Sequence, residues 1–337
     1  MNAKRDNYFQ TLAGETARNW NDFWFTPSDP ATLGALRVMV GVLALYLVAS
    51  YTPDLDRYFG AGGLLPVKLL TEFQQAMGDD VQFAPPQVRE CIPRKYRFSY
   101  LDYVTGARLK AAHLAGLAVF MLFTLGVLTR LTAAASLIVF LSYMHRGPML
   151  TSGTEPLLAM LLFYLAIGPS GAAFSFDARR ARKRLRNGEE RHVPGESASP
   201  WATVAIRLIQ VHFTLVLVMM AVAKLGNEAW WNGLGVWWLL TRSESRLVDL
   251  TSLHELPLLI NAWTYAVLFG QALLPILIWN RLTRPLMLMV HAVMWLLLAP
   301  VIGNLPLAAA MILASLAFVS PALVRRLLPE PAADATN

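Results

Sequence analysis

The feature that most constrains this fold is a series of long apolar segments, separated by polar stretches rich in arginine, proline or glycine. Eight segments approach the ~20 residues that a helix needs to cross a bilayer: about 31–52, 109–129, 131–147, 154–170, 201–224, 258–279, 285–303 and 305–324. Since 55% of the chain is hydrophobic and only 15% is charged, a soluble globule could not bury its apolar surface. We therefore predict an all-α fold, a polytopic membrane helix bundle with about eight transmembrane helices.

The distribution of lysine and arginine predicts the orientation of this bundle. The basic run from Arg179 to Arg191 indicates a cytoplasmic loop. Alternation of the eight spans then places both termini inside, in agreement with basic residues near each terminus. The segment 53–106, although basic, must lie outside, and long loops count less in this rule. The predicted location is the cytoplasmic membrane, as a multi-pass protein.

Three regions follow from this pattern. Residues 1–30 form an N-terminal amphipathic segment, 31–324 the transmembrane domain, and 325–337 a C-terminal tail. Within the domain we distinguish an outer loop at 53–106, a basic cytoplasmic loop at 171–200 and an outer segment rich in tryptophan and glycine at 225–257. Residues 8–25 concentrate apolar side chains on one helical face, which suits either a helix in the headgroup layer or a soluble cap on the bundle.

The charge and cysteine content exclude several functions. The net charge of +7 lies mostly in loops that flank hydrophobic segments, so it indicates membrane topology and no nucleic-acid partner. The single cysteine, Cys91, excludes an intrachain disulfide and a cysteine-based metal site. The first thirty residues lack an apolar core, so no cleavable signal peptide is predicted.

Polar residues at membrane depth require an explanation, because an ionisable group at the centre of a span costs roughly 2.5–3.5 kcal/mol. Arg37, Arg207, His212, Gln271 and His291 fall in this class. Two histidines at matched depth could ligate a haem. Residues at mid-depth more often form hydrogen bonds between helices, and we predict this role, and no metal, for His212, Gln271 and His291. Arg207 lies near the cytoplasmic end of its span, where a snorkelling side chain is the simpler interpretation.

The outer ends of the predicted spans carry a second group of polar residues. His145 ends the third span, Glu155 begins the fourth, and Lys224 ends the fifth, before the segment 225–257. One interpretation is an interfacial aromatic belt with a snorkelling lysine. The other is a lysine held out of water beneath a re-entrant lid, where an uncharged amine could accept a proton.

Four stretches of the sequence, in the same order along the chain, resemble the HTTM transmembrane family, which includes the membrane region of vitamin K-dependent γ-glutamyl carboxylase. They are Phe23–Arg37 with Gly41, Tyr58–Gly60 with Gly63–Pro66, Phe174–Ala178, and Arg207–Gln210 with Ala223–Leu225 and Trp230–Gly233. The likeness covers nearly the whole chain. The approach to the family's lysine is aromatic, whereas here it is aliphatic, at Leu217–Met220.

The resemblance implies a definite chemistry. In the carboxylase, the lysine that matches Lys224 is the base toward a reduced quinone, vitamin K hydroquinone. The quinol then reacts with oxygen, and the product removes a γ-hydrogen from a peptide glutamate, which captures carbon dioxide. By this likeness His145, near the carboxylase's histidine at the end of its third span, is a candidate catalytic proton partner of Lys224. Glu155 is a second candidate, because the predicted topology brings it to the same side of the bilayer. The candidate substrate-binding residues are Arg207, Gln210, Trp230 and Gly233.

Two broad functions remain open at this point. The first is a membrane enzyme with carboxylase-like lyase and oxygenase chemistry, with a lipid-soluble quinol and an extracytoplasmic peptide as partners. The second is a non-enzymatic membrane partner in the maturation or export of a small secreted peptide, as in the SdpB-type members of the family. A transporter is third, since transporters favour midplane sites and internal repeats, and no repeat is visible.

Overall fold

The structure, a computed structural model, describes residues 8–70, 72, 98–187, 198–242 and 247–328. Cys91, the second half of the basic run up to Arg191, and the last residues of the C-terminal tail lie outside the described residues. The described residues form helices, turns and loops, with no β-strand among them. The predicted all-α class is therefore confirmed.

Fourteen helices, joined in places by short 3₁₀ turns, can be delimited within the described residues. They are α1 (Tyr8–Phe25), α2 (Ala31–Ser50), α3 (Leu55–Phe59), α4 (Ala107–Leu125), α5 (Thr129–Arg146), α6 (Thr154–Ile167), α7 (Phe176–Arg186), α8 (Pro200–Leu225), α9 (Glu228–Trp231), α10 (Gly235–Leu240), α11 (Pro257–Leu277), α12 (Arg284–Ile302), α13 (Leu305–Ser315) and α14 (Pro321–Leu327).

Five of these helices are long and apolar enough to cross a membrane: α2, α4, α8, α11 and α12. A sixth candidate is the broken pair of α13, with its 3₁₀ extension, and α14, which meet at an angle of 117°. The last predicted segment, 305–324, is therefore not one continuous helix. Pro321 cannot extend the helix that precedes it, and the hydroxyl of Ser320 caps the new helix by accepting a hydrogen bond from the Leu323 N–H.

Proline and glycine explain most of the observed helix boundaries. Pro200 and Pro257 begin α8 and α11, where the missing N–H has no helical partner in any case. Gly126 and Gly303 follow α4 and α12 with φ angles of +74° and +70°, which favour glycine. The long helices consequently begin and end within a few residues of the predicted bounds.

The long helices alternate in direction between two ends of the bundle. One end, which we call the basic end, holds α7 and the start of α5, because the Asp177 carboxylate accepts hydrogen bonds from the Thr129 N–H at 2.7 Å and the Leu128 N–H at 3.0 Å. The other end, which we call the Lys224 end, holds the end of α8. Chain direction places the ends of α2 and α5 and the starts of α6 and α11 there.

α1 forms over the predicted residues and packs against α8. Its attachment runs through its C-terminal part, where the Phe23 ring lies 5.9 Å from the Trp279 ring. Leu12 and Trp20, by contrast, are exposed, Trp20 to 62%. The described residues therefore hold α1 at its C-terminal part and leave the apolar side chains of its earlier turns uncovered.

Arg37 is a fully buried arginine at the basic end of α2. Its guanidinium donates hydrogen bonds to the carbonyl oxygens of Ser170, Ala173 and Phe174 in the turn between α6 and α7. The turn approaches α2 so closely that a Cβ on Gly34 would lie 2.6 Å from the Ala173 oxygen. Arg37 therefore stabilises a non-helical segment by satisfying its carbonyls.

An ion pair between Asp29 and Arg325 joins the turn before α2 to α14 at the basic end. Asp29, in the turn between α1 and α2, accepts hydrogen bonds from Arg325 Nε at 2.5 Å and Arg325 Nη2 at 2.9 Å. Partial burial raises the pKa of Asp29, but the hydrogen bonds from Arg325 and from the Ala31 N–H outweigh it. The pKa therefore lies below its ordinary value of 3.8.

This pair predicts a pH-dependent contribution to stability. Because the folded pKa of Asp29 is depressed, the contribution is present above pH 3.8 and is lost as the pH falls through the lower folded pKa. We expect Asp29→Asn to lower the melting temperature at pH 7. The matching loss in the free energy of unfolding should stay within about 1 kcal/mol for this half-exposed pair. Near pH 2 the substitution should have no effect. Asp22→Asn, on exposed α1, is the control. An equal loss at both pH values would contradict the prediction.

Candidate functional site

Lys224 lies in the last turn of α8, at the junction with a segment that folds back over the helix end. Its Nζ is 4.9 Å from the centroid of the Trp230 ring, and the side chain is half-buried. Within the described part of the chain, no carboxylate lies within ion-pair distance of Lys224. The contact that characterises this amine is therefore an aromatic face.

Residues 226–240, which contain α9 and α10 and which we call the lid, are fixed on α11. The Tyr265 hydroxyl donates a hydrogen bond to the Trp231 carbonyl at 2.7 Å, and the Val236 N–H donates to the Thr264 hydroxyl at 3.1 Å. The Trp231 indole N–H donates to the Leu225 carbonyl at 2.6 Å, which ties the lid to the end of α8. The lid is thus a packed structure with defined contacts.

Two glycines make the close packing of the lid possible. Gly233 has a φ of +76°, and a Cβ there would lie 2.7 Å from Asn261 Oδ1. A Cβ on Gly235 would lie 2.5 Å from the Trp230 ring. Gly233 therefore sets the turn of the lid, and Gly235 lets the Trp230 ring lie flat against the backbone. Of the predicted binding residues, the structure places Trp230 on Lys224 and Gly233 in the same lid.

Arg207 and Gln210 do not lie near Lys224. All three are on α8, and a rise of about 1.5 Å per residue puts Arg207 roughly 25 Å and Gln210 roughly 21 Å from the lysine. The prediction that these two residues share one substrate-binding site with Lys224, Trp230 and Gly233 is therefore corrected. Straight helical geometry separates both from Lys224 by more than half of the length of α8.

Arg207 and Gln210 instead join three elements at the basic end. The Arg207 guanidinium donates from Nε to the Phe23 carbonyl at 3.2 Å and lies 4.3 Å from the centroid of the Phe23 ring. Its Nη1 donates to Gln210 Oε1 at 3.0 Å, and Gln210 Nε2 donates to the Ala317 carbonyl at 2.8 Å. This network ties α1 and the turn after α13 to α8.

His145 and Glu155 lie at the Lys224 end but in separate environments. His145 Nδ1 donates a hydrogen bond to the Phe98 carbonyl at 3.0 Å. The buried Glu155 carboxylate accepts bonds from the Ser152 N–H at 2.6 Å and the Ser152 hydroxyl at 2.9 Å, at the start of α6. No hydrogen bond or ion pair in the described ranges joins either residue to Lys224, so the structure does not bring the three together.

Sequence reasoning missed Arg146, the neighbour of His145. Arg146 is fully buried and donates hydrogen bonds to the carbonyls of Leu65 at 2.7 Å, Phe59 at 3.3 Å and Gly60 at 3.4 Å. Its Nε also lies 3.5 Å from the Asp102 carboxylate. The sequence signal was the compact glycine- and proline-containing turn at 60–66, whose buried carbonyls need a donor.

A buried chain of hydrogen bonds lies beside Arg146. The His113 ring joins the Thr52 hydroxyl at 2.9 Å to the Tyr143 hydroxyl at 2.7 Å. Tyr51 stacks on Tyr143, with ring centroids 5.9 Å apart. Burial, together with the nearby charge of Glu155, raises the pKa of Tyr51 to about 12, so this phenol stays protonated at neutral pH. This chain connects α2, α4 and α5 at the Lys224 end.

His212 and His291 face different parts of the bundle. His212 is exposed, and its Nδ1 lies 3.0 Å from the Tyr164 hydroxyl on α6. His291 is fully buried, with its Nε2 3.2 Å from the Met311 carbonyl. The two imidazoles therefore do not form a haem-ligand pair. No group of three metal-ligating side chains occurs within the described ranges.

Comparison of the chain with protein-family models, with curated proteins and with solved structures gives no match. The membrane class of the protein follows from its apolar helices, and the candidate site is defined by the contacts of Lys224 and the lid.

Proposed function

We propose that this chain is an eight-span, HTTM-type protein of the cytoplasmic membrane with both termini inside, in which Lys224 deprotonates a lipid-soluble quinol near the outer face. Five helices are long and apolar enough to cross a membrane, and α5, α6 and the broken pair of α13 and α14 run between the same two ends of the bundle, which supports eight spans. The basic residues of α7 support a cytoplasmic assignment of the basic end, which leaves Lys224 at the outer end.

The observation that carries the proposal is the partner of the amine. A neighbouring carboxylate would hold a lysine as a salt-bridged ammonium. The Nζ of Lys224 instead faces the Trp230 ring, without a carboxylate partner among the described residues. No anion therefore occupies the side of the amine that a substrate O–H would approach. The ring stabilises the ammonium that forms when the amine gains a proton.

The proposed step is a proton transfer from oxygen to nitrogen. The O–H bond of the quinol breaks, an N–H bond forms at Lys224 Nζ, and the electron pair stays on the oxygen of the resulting quinolate. Met219 and Val222 are exposed on the surface of α8 within two turns of Lys224. A substrate dissolved in the bilayer can therefore approach the amine along an apolar path. Reaction with oxygen and a peptide glutamate is the sequel that the family resemblance implies.

Two substitutions at one position test the proposal. We expect wild-type protein in liposomes to consume a reduced naphthoquinone in an oxygen-dependent reaction, and both Lys224→Ala and Lys224→Arg to lose at least about 100-fold of the rate, as general-base removal does. Arginine keeps the positive charge and the contact with Trp230 but cannot be deprotonated in a protein. The loss in the arginine variant therefore separates a base from a charge.

Lys110→Ala, on the exposed surface at the same end, is the matched control and should keep the wild-type rate. An active Lys224→Arg variant would assign the lysine to anchoring at the membrane interface. Absence of quinol consumption by the wild-type protein would favour the non-enzymatic role in peptide maturation or export. In that case a Lys224→Ala strain should secrete the peptide at nearly the wild-type level.

A further inference from the structure

Three buried polar atoms near the middle of α11 and α12 have no hydrogen-bond partner among the described residues. They are Gln271 Nε2, His291 Nδ1 and Trp295 Nε1. Their side chains are exposed to 3% or less, and they lie in two of the five helices that are long and apolar enough to cross a membrane. No water is present in a bilayer core to satisfy such groups from outside, so three orphaned atoms in one region require a common explanation.

Helix register places the three residues together. α11 and α12 are neighbouring antiparallel helices, and a Cβ on Gly270 would lie 3.8 Å from Val290 Cγ1. Because the helices run in opposite directions, Gln271 and His291, one residue further along each, lie within about 3 Å of the same depth. The rotation of about 100° per residue turns both toward the same side of the helix pair. Both belong to the buried faces of their helices. Trp295 follows one turn along α12, with its ring centroid 6.4 Å from that of His291.

The hydrogen bond of His291 fixes the chemistry of its other nitrogen. Its Nε2 lies 3.2 Å from the Met311 carbonyl, and because a carbonyl can only accept, Nε2 carries the proton. Nδ1 of the neutral ring is then a lone-pair acceptor. Gln271 Nε2 and Trp295 Nε1 are donors. The region thus offers one acceptor and two donors, inside a wall that includes the Phe213 ring, 5.7 Å from His291.

We propose that this region is a binding site for a single hydroxyl group, the chemistry that complements one acceptor and two donors. An O–H donates to His291 Nδ1, and its oxygen accepts from Gln271 and Trp295. A carbonyl cannot donate to Nδ1, and a cation is repelled by the two N–H dipoles. The hydroxyl belongs either to a water molecule or to a lipid-soluble alcohol or phenol. The site is separate from Lys224 and does not depend on the role of that lysine.

The sign of a stability change tests the proposal. We expect Gln271→Leu to lower the melting temperature of the detergent-solubilised protein by at least about 2 °C, because it removes a donor from a satisfied group. Gln210→Leu, which removes the donor to Ala317, is the matched control and should also destabilise. If the Gln271 amide has no partner, its replacement by leucine instead raises the melting temperature or leaves it unchanged. That result would overturn the proposal.

A second measurement remains informative if the Gln271 variant fails to fold. In wild-type protein labelled with ¹⁵N-histidine, the Nδ1 signal that disappears in His291→Phe should show the shift of a hydrogen-bonded acceptor. A shift typical of a bare lone pair would refute the site. Mass spectrometry of the purified protein distinguishes the two sources of the hydroxyl. A bound alcohol or phenol gives about one organic molecule per chain, which Gln271→Leu releases, whereas a bound water gives none while the Nδ1 shift persists.

Discussion

Replacing Arg146 with methionine is expected to lower the free energy of unfolding by about 3–5 kcal/mol, as the loss of one partner from a buried charged network does. The methionine keeps most of the apolar volume of the side chain but donates no hydrogen bond. The carbonyls of the buried residues Phe59, Gly60 and Leu65 would then lose their donor. Thermal unfolding in detergent measures the effect.

Limited proteolysis locates the effect of the Arg146 substitution. Residues 55–66, which comprise α3 and the turn after it, should become sensitive to protease in Arg146→Met. α7 at the basic end should keep its wild-type resistance. Arg130→Met is the matched control, because Arg130 lies on the same helix with an exposed side chain and should change stability by no more than about 0.5 kcal/mol. Equal stability of the two variants would show that the Arg146 hydrogen bonds do not hold the turn.

Replacing Arg37 with methionine is expected to cost a similar amount, about 3–5 kcal/mol, at the basic end. Arg37 lies inside an apolar helix and donates to the carbonyls of Ser170, Ala173 and Phe174. Without it, the carbonyls of Ser170, Ala173 and Phe174 lose this donor, and Ser170 and Ala173 are buried residues. The melting temperature should therefore fall, and α7 rather than the turn at 55–66 should become sensitive to protease.

Lysine at position 37 provides a sharper test of the geometry. Its single ammonium cannot reproduce the fork of the guanidinium that reaches several carbonyls at once, so Arg37→Lys should recover less than half of the lost stability. Arg18→Met, on the exposed surface of α1, is the control and should leave the melting temperature unchanged. Full recovery by lysine would mean that charge, and not the hydrogen-bond pattern, fixes this segment.

These two arginines show one structural role for charged residues in the predicted spans. Arg37 and Arg146 are fully buried, and each satisfies carbonyls of a non-helical segment that packs against the bundle. Irregular backbone within a membrane bundle is tolerated where it is buried in protein. The guanidinium supplies the donors that such backbone lacks, which explains why the sequence retains these costly side chains.

Hydropathy predicted the helices themselves. A span needs a minimum number of apolar residues, and Pro200, Pro257, Gly126 and Gly303 stand where the chain enters or leaves a helix. The break before α14 was not predicted, although Pro321 indicates a helix boundary there. Hydropathy averaged over a window stays high across a proline, whereas the backbone cannot continue the helix through it.

Tertiary packing decided the partners of the polar residues. His145 and Arg146 are adjacent in sequence, but a helix turns by about 100° per residue. The His145 ring therefore binds the Phe98 carbonyl at the edge of the bundle, whereas the Arg146 side chain is fully buried. The depth of Gln271 and His291 could be read from the sequence, whereas the register that faces them into one region could not.

The sequence by itself determined that the chain folds as a bundle of apolar helices and where most of them begin and end, because bilayer thickness and backbone chemistry act on each segment separately. Only the tertiary structure decided that Lys224 contacts Trp230 and that Arg207 and Gln210 serve the opposite end. Those contacts depend on helix rotation, register and chain reversal, which no single segment encodes.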